Sequence, residues 1–210
     1  MGAAKPAPAR PRATPAPPYP CTTTHALLRA LHDHEWGEPV TDSAILFEYL
    51  VLHSFQIGFN FPVILTYREA LRELLAGFDP ARIAQFGEAE TEAILTDPRM
   101  LRSPRKLAAT VQNACAWLRL CAEVGGEAGL LKFFYAYVGG QPLDNQRTTP
   151  DVPIATPASA ALSRDLKRYG FQQLGPAACY ALLQTAGLVN DHLLACPRHA
   201  ACAALAENGG

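Results

Sequence analysis

Four residues carry side chains that a metal ion takes as ligands: Cys21 and His32 near the start of the chain, His192 and Cys196 near its end. His192 and Cys196 are four positions apart, a spacing that on a helix turns both side chains to one face. Two thiolates and two imidazoles suit tetrahedral zinc. With all four positions filled by protein, the ion would be structural and not hydrolytic, pinning the two ends of the chain together. His34, His199 and Cys202 compete as ligands. Because His34 is two residues from His32, a helix would point the two rings to different faces, and only one could serve. The rival explanation for the thiols is plain core packing, since free cysteine is among the most buried residue types.

A second chemical feature lies at residues 167–176, where Lys167-Arg168-Tyr169-Gly170-Phe171 is followed by Leu174-Gly175-Pro176. This has the character of a hairpin between helices. Amides at the start of a helix after Gly175 can hold a phosphate, with Lys167 and Arg168 adding charge. A C-cap glycine beside two solvated cations has the same composition. Arg102, Arg105 and Lys106 could extend a phosphate track, although a solvated helix face looks alike.

The elements that would position these groups are helical. In residues 44–58 the apolar positions Ile45, Leu46, Tyr49, Leu50, Leu52 and Phe55 advance in three- and four-residue steps behind Asp42 and Ser43. Segments 62–75, 103–124 and 127–138 read as further helices, and a polar loop over 139–157 precedes two last ones at 158–168 and 176–186. No alternating strand and no internal repeat is found. The expected fold is therefore all-α, a compact bundle of about eight short helices.

The 210 residues suit one domain. With 49% hydrophobic and 18% charged residues, wholesale disorder is excluded, and no apolar run is long enough to span a membrane. A net charge of -1 means that any nucleic-acid surface is a local patch. Residues 1–20 hold seven of the eighteen prolines with Lys5, Arg10 and Arg12 as their only charges, and are read as a disordered tail. The globular domain is placed at 21–202 and a short C-terminal tail at 203–210. No apolar segment of the secretory kind follows Met1, so a reducing, cytoplasmic setting is expected. Without a heptad pattern, a monomer is the default.

Two words stand out in order: His32-Asp33-His34-Glu35-Trp36-Gly37-Glu38-Pro39 and Gly187-Leu188-Val189-Asn190-Asp191-His192. Between them come Leu46-Phe47-Glu48, Phe55-Gln56, Arg68-Glu69, Gly77-Phe78-Asp79-Pro80, Asn113-Ala114, Gln141-Pro142, Thr156-Pro157 and Gly170-Phe171. In this series the chain resembles the DNA-3-methyladenine glycosylase I family over residues 21–202. The resemblance implies a helix-hairpin-helix glycosylase fold with a structural zinc on Cys21, His32, His192 and Cys196. It also implies an activity, the flipping of an alkylated base out of double-stranded DNA and the hydrolysis of its N-glycosidic bond to leave an abasic site. A ring-methylated base is cationic and already a good leaving group, so recognition and desolvation can do much of the work.

By the same resemblance, the base pocket falls on Leu31, Trp36, Gln56 and Phe61, with His53 at the catalytic position and Lys167, Arg168 and Gly175 toward DNA. Here the chain departs from the family. Position 53 holds histidine where the family has the glutamate that receives the methylated adenine. Leu31 replaces a tyrosine, while Thr23 and Phe61 replace tryptophans. Phe55 and Phe59 are further aromatic candidates, and Glu35 and Asp191 are carboxylates that could bring charge near the pocket. Acids in such words also cap helices or orient metal-bound histidines, a role for which Asp33 qualifies. The alternative reading is a catalytically impaired descendant that binds DNA or a lesion without excising it.

Overall fold

In the computed structural model, residues 20–208 are described, and the expected tail over 1–20 lies almost wholly outside them. The described residues form ten α-helices: α1 Ala26–His34, α2 Ser43–Phe55, α3 Phe61–Leu74, α4 Pro80–Ile83, α5 Glu88–Thr96, α6 Pro104–Glu123, α7 Glu127–Ala136, α8 Pro157–Arg168, α9 Pro176–Thr185 and α10 Pro197–Asn208. The expected all-α bundle is thus the fold of the chain.

The hub is α2, which packs against α3, α6, α7 and α9. Leu46, Phe47, Leu50, Val51, Leu52 and Phe55 on it have no exposed surface, so it is buried on all sides instead of along one stripe. Among the polar side chains carried inside with it are Glu48 and His53. Asp42 starts the helix by accepting a hydrogen bond from the Ala44 amide at 2.7 Å. At the other end, the Lys106 ammonium donates to the carbonyls of Phe55 and Ile57 at 2.7 and 2.8 Å, satisfying groups that the helix leaves open. Burial pushes the Lys106 pKa down. This side chain is therefore a helix cap, neither the phosphate ligand nor the solvated cation that the sequence left open, whereas Arg102 and Arg105 stay exposed.

Local chemistry sets the other boundaries. Pro62, Pro104, Pro157 and Pro176 each sit in a first turn, where the missing amide costs nothing. Thr156 and Ser159 exchange side-chain and backbone hydrogen bonds at 3.2 and 2.9 Å to open α8.

Three features correct the sequence reading. First, α10 runs through the expected 203–210 tail as far as Asn208; its segment is rich in alanine, which favours helix without giving an apolar period to read. Second, α4 and α5 fill a stretch with no expected helix, and both are short. Third, there are strands: β1 Leu143–Asp144 lies parallel to β2 Val189–Asn190, extended by a bridge between Arg147 and Leu193. Two-residue strands show no alternation. They clamp the segment that carries His192 onto the 143–147 loop.

Candidate metal centre and base cavity

Cys21, His32, His192 and Cys196 converge, with their ligand atoms all within 4.8 Å of one another. His32 comes from the last turns of α1, and its neighbour His34 points to solvent. His192 and Cys196 do not lie on a helix, as the four-residue spacing had suggested, but in the turn between β2 and α10. The Cys196 amide donates to the Leu193 carbonyl at 2.7 Å, closing that turn and bringing both side chains to one side.

The donor set fits a tetrahedral ion. Cys21 Sγ is 3.5 Å from His192 Nδ1, Cys196 Sγ is 3.4 Å from His32 Nε2, and Cys196 Sγ is 3.8 Å from His192 Nδ1. Metal–sulfur and metal–nitrogen bonds of about 2.3 and 2.05 Å at the tetrahedral angle place sulfur and nitrogen about 3.6 Å apart. The far nitrogens fix the tautomers. His32 Nδ1 donates to Asp33 at 2.7 Å and His192 Nε2 donates to the Trp36 carbonyl at 2.8 Å, leaving Nε2 and Nδ1 respectively as lone pairs turned inward. Burial lowers the His192 pKa to about 4, which keeps its ring in the form that binds metals. His199 instead faces Asp144 at 3.0 Å. Cys202 is buried beside the Trp36 carbonyl, its thiol pushed up to about 11 by burial.

Gly37 makes the contact between His192 and Trp36 possible. Its φ is +83°, and a Cβ there would lie 2.8 Å from His192 Nε2, so both the conformation and the space demand glycine. Trp36 thereby joins two sites: its carbonyl holds His192, and the residue is part of the lining of a neighbouring cavity of about 460 Å³.

That cavity is walled by α1, by the end of α2 and the turn after it, by the loop before α8 and by one face of α9. Leu31, Trp36, His53, Gln56 and Phe61 all line it. Phe59 does as well, whereas Phe55 belongs to the core. Sequence reasoning missed Tyr180, Gln184 and Thr185, which recur along α9 at helical spacing and line the opposite wall. Their spacing was a visible signal, although it reads equally as a core stripe.

His53 is 1% exposed and lies face to face with Phe61, with ring centroids 4.4 Å apart and planes 16° apart. Its Nδ1 is 3.0 Å from Gln56 Oε1 and its Nε2 is 2.9 Å from Thr185 Oγ1. Burial lowers its pKa to about 4, so the ring is neutral at ordinary pH.

Neither carboxylate considered for the cavity lines it. Glu35 forms a two-pronged pair with Arg68, both bonds 2.7 Å, and accepts from the Tyr49 hydroxyl. Asp191, fully buried, sits behind the wall and accepts from Tyr180, Gln184, Asn145 and Arg147 at 2.6 to 2.8 Å. It holds two wall residues in place while its charge is matched by Arg147.

Helices α8 and α9 form a hairpin about residues 169–175. Gly170 has φ +92°, and the Phe171 amide returns to the Leu166 carbonyl at 3.0 Å. Lys167, Arg168 and Gly175 are exposed at this turn, with Arg168 paired to Asp165 at 2.8 Å. The helix that starts after Gly175 is the one whose later residues line the cavity.

Residues 21–199 match the family model described as methyladenine glycosylase. The chain belongs to that family. Among curated members, it is 39% identical over 171 residues to DNA-3-methyladenine glycosylase 1 of Escherichia coli (strain K12), covering 81% of this chain and 90% of that one. It is 40% identical over 169 residues to DNA-3-methyladenine glycosylase of Haemophilus influenzae, covering 79% and 89%. A crystal structure of a variant of 3-methyladenine DNA glycosylase I in complex with 3-methyladenine superposes with a TM-score of 0.79 at 35% identity, covering 83% of this chain and 93% of that one. At position 53, where the resemblance led one to expect a carboxylate, the cavity of this chain has an imidazole bonded at both nitrogens.

Proposed function

We infer that this chain is a DNA-3-methyladenine glycosylase, an N-glycosyl hydrolase that removes a flipped alkylated purine, 3-methyladenine, in DNA repair and leaves an abasic site. The observation that carries the reading is a largely apolar cavity with aromatic walls, large enough for a purine, built into a chain that matches the family over residues 21–199. Stacking on Trp36 and on the Phe61–His53 pair would hold the base out of water. A neutral wall does not repel a cationic base, and the base's own charge makes it leave readily.

The duplex is assigned to the α8–α9 hairpin, where backbone amides after Gly175 with Lys167 and Arg168 would take phosphates. Ile57, Phe59 and Ile154, exposed large apolar residues, stand around the cavity mouth on two loops; such residues suit the gap that a flipped base leaves in the stack. The ion is assigned as zinc on Cys21, His32, His192 and Cys196, with a purely structural effect: it ties α1 to the turn before α10 and so fixes Trp36. No helix among the described residues is long and apolar enough to cross a membrane, and we place the enzyme in the cytoplasm as a monomer.

The test is release of free base from randomly methylated duplex DNA by the zinc-assayed protein. Release of 3-methyladenine is expected. A second reading, lesion binding without excision, is favoured by one observation, the engaged histidine at position 53. DNA binding with no release of any alkylated purine by folded, zinc-loaded protein would select it.

A further inference from the structure

The proton on the His53 ring can be placed from its neighbours. Thr185 is 2% exposed, and its hydroxyl, a donor that needs an acceptor, lies 2.9 Å from His53 Nε2. Nothing else among the described hydrogen bonds accepts from that hydroxyl. If it donates to Nε2, the neutral ring carries its proton on Nδ1. A protonated Nδ1 requires an acceptor, which fixes the Gln56 carboxamide with Oε1 toward His53 at 3.0 Å. The amide nitrogen then has to point away. Gln56 Nε2 has no protein partner, yet it is not among the buried polar atoms left unsatisfied, and Gln56 lines the cavity. Its two N–H bonds thus remain for a ligand. The opposite arrangement, with Nδ1 accepting from the Gln56 amide, would leave the buried Thr185 hydroxyl proton without an acceptor, at a cost of about 1–3 kcal/mol.

We propose that His53 is a positioning residue: through the order Thr185 to His53 to Gln56, it aims the Gln56 amide N–H pair into the cavity, so that this member reads its base through a ring-nitrogen acceptor of the purine. A carboxylate at position 53 would do the reverse. It can only accept, so Gln56 would turn its N–H pair toward it and show the cavity an oxygen. The ligand class is a 3-alkylated adenine with its N1 and N7 lone pairs free. The inference rests on the assignment of this cavity to the flipped base.

The test is the affinity of the full-length, zinc-loaded protein for free 3-methyladenine and for its 1-deaza and 7-deaza analogues, measured by calorimetry. Each analogue replaces one acceptor nitrogen by C–H. One of them is expected to bind about tenfold more weakly than 3-methyladenine, as for one lost hydrogen bond. Gln56→Leu should abolish that difference between ligands. His53→Gln, whose amide accepts from Thr185 and donates to Gln56, should keep it, and His53→Glu should remove it while 3-methyladenine itself still binds. An undiminished difference in Gln56→Leu or in His53→Glu overturns the proposal, as does equal binding of all three ligands by the unaltered protein. Acceptor-dependent binding without excision from methylated DNA would leave this inference standing and sink the glycosidase reading. Excision without acceptor dependence would do the opposite, and failure of the folded protein to bind 3-methyladenine at all refutes both.

Discussion

Replacing Gly37 by alanine should damage the metal centre from outside its ligand set. Two costs can be separated. The first is conformational: φ of +83° puts an L-residue in the left-handed region, at about 1–2 kcal/mol. The second is steric, because the new Cβ would sit 2.8 Å from His192 Nε2 and 2.9 Å from Cδ2. The ring is walled in by Trp36, 4.5 Å away between centroids, so it must rotate or retreat. Either movement breaks its hydrogen bond to the Trp36 carbonyl, losing about 0.5–1.5 kcal/mol and about 10–100-fold in metal affinity through loss of the orienting partner. Gly58 supplies the control. Its φ is also +83°, with nothing within 4 Å of a built Cβ, so Gly58→Ala carries the conformational cost alone. Urea unfolding at fixed free zinc should give a loss of about 1–2 kcal/mol for Gly58→Ala and about 2–3 for Gly37→Ala, and chelator competition should show weakened zinc binding only in the latter. Equal losses of stability, or unchanged zinc affinity in Gly37→Ala, would refute the reasoning.

The His53 pKa, lowered to about 4 by burial, gives a pH signature. Between about pH 6.5 and 4 the unfolded chain takes up a proton at this position that the folded chain refuses. Stability should therefore fall as pH drops through that window, and the slope of the urea midpoint against pH should be shallower in His53→Gln. Arg68→Met leaves Glu48, 6% exposed, with only Arg72 at 2.8 Å as an ion-pair partner, and frees Glu35 from its two-pronged pair. A loss of about 3–5 kcal/mol in denaturant unfolding is expected, and a change below 1 kcal/mol would exclude a structural role for the network. Lys167→Ala combined with Arg168→Ala should weaken duplex binding alike for every sequence. It should also reduce the slope of log affinity against log salt by about one for each phosphate no longer neutralised; an unchanged slope would remove α8 from the DNA surface.

What could be read from the sequence followed from periodicity and from words. The three- and four-residue steps located α2, α3, α6, α7, α8 and α9 to within a few residues, and all of these but α7 have a side-chain cap or a first-turn proline as well. Helix α10 was invisible because alanine favours helix without marking a face, and β1 and β2 because two residues cannot alternate. Cys21, His32, His192 and Cys196 were legible as a set through the family resemblance, while a shared helix face is the wrong reason for the last pair: a turn brings them together. Lys106 shows the limit for charges, since sequence distinguishes a phosphate ligand from a buried helix cap only once the end of α2 is known to pack against α6.

The substitution at position 53 looks, in the sequence, like the loss of a functional group. In the fold it is a replacement with its own partners, because an isolated imidazole at 1% exposure would leave two polar nitrogens unpaired, and both are paired. The partners come from different elements, Gln56 from the end of α2 and Thr185 from the end of α9. The ring itself is stacked on Phe61 at the start of α3. Its orientation is thus over-determined by three helices. The opposite wall is fixed in a comparable way, with Tyr180 and Gln184 bonded to Asp191 and Trp36 bonded to His192. A cavity whose walls are held so firmly selects a base by shape and by the few polar atoms still open to it. Gln56 Nε2 is such an atom, and if the cavity takes the base as proposed, the proton on the His53 ring decides which polar atom of Gln56 meets it.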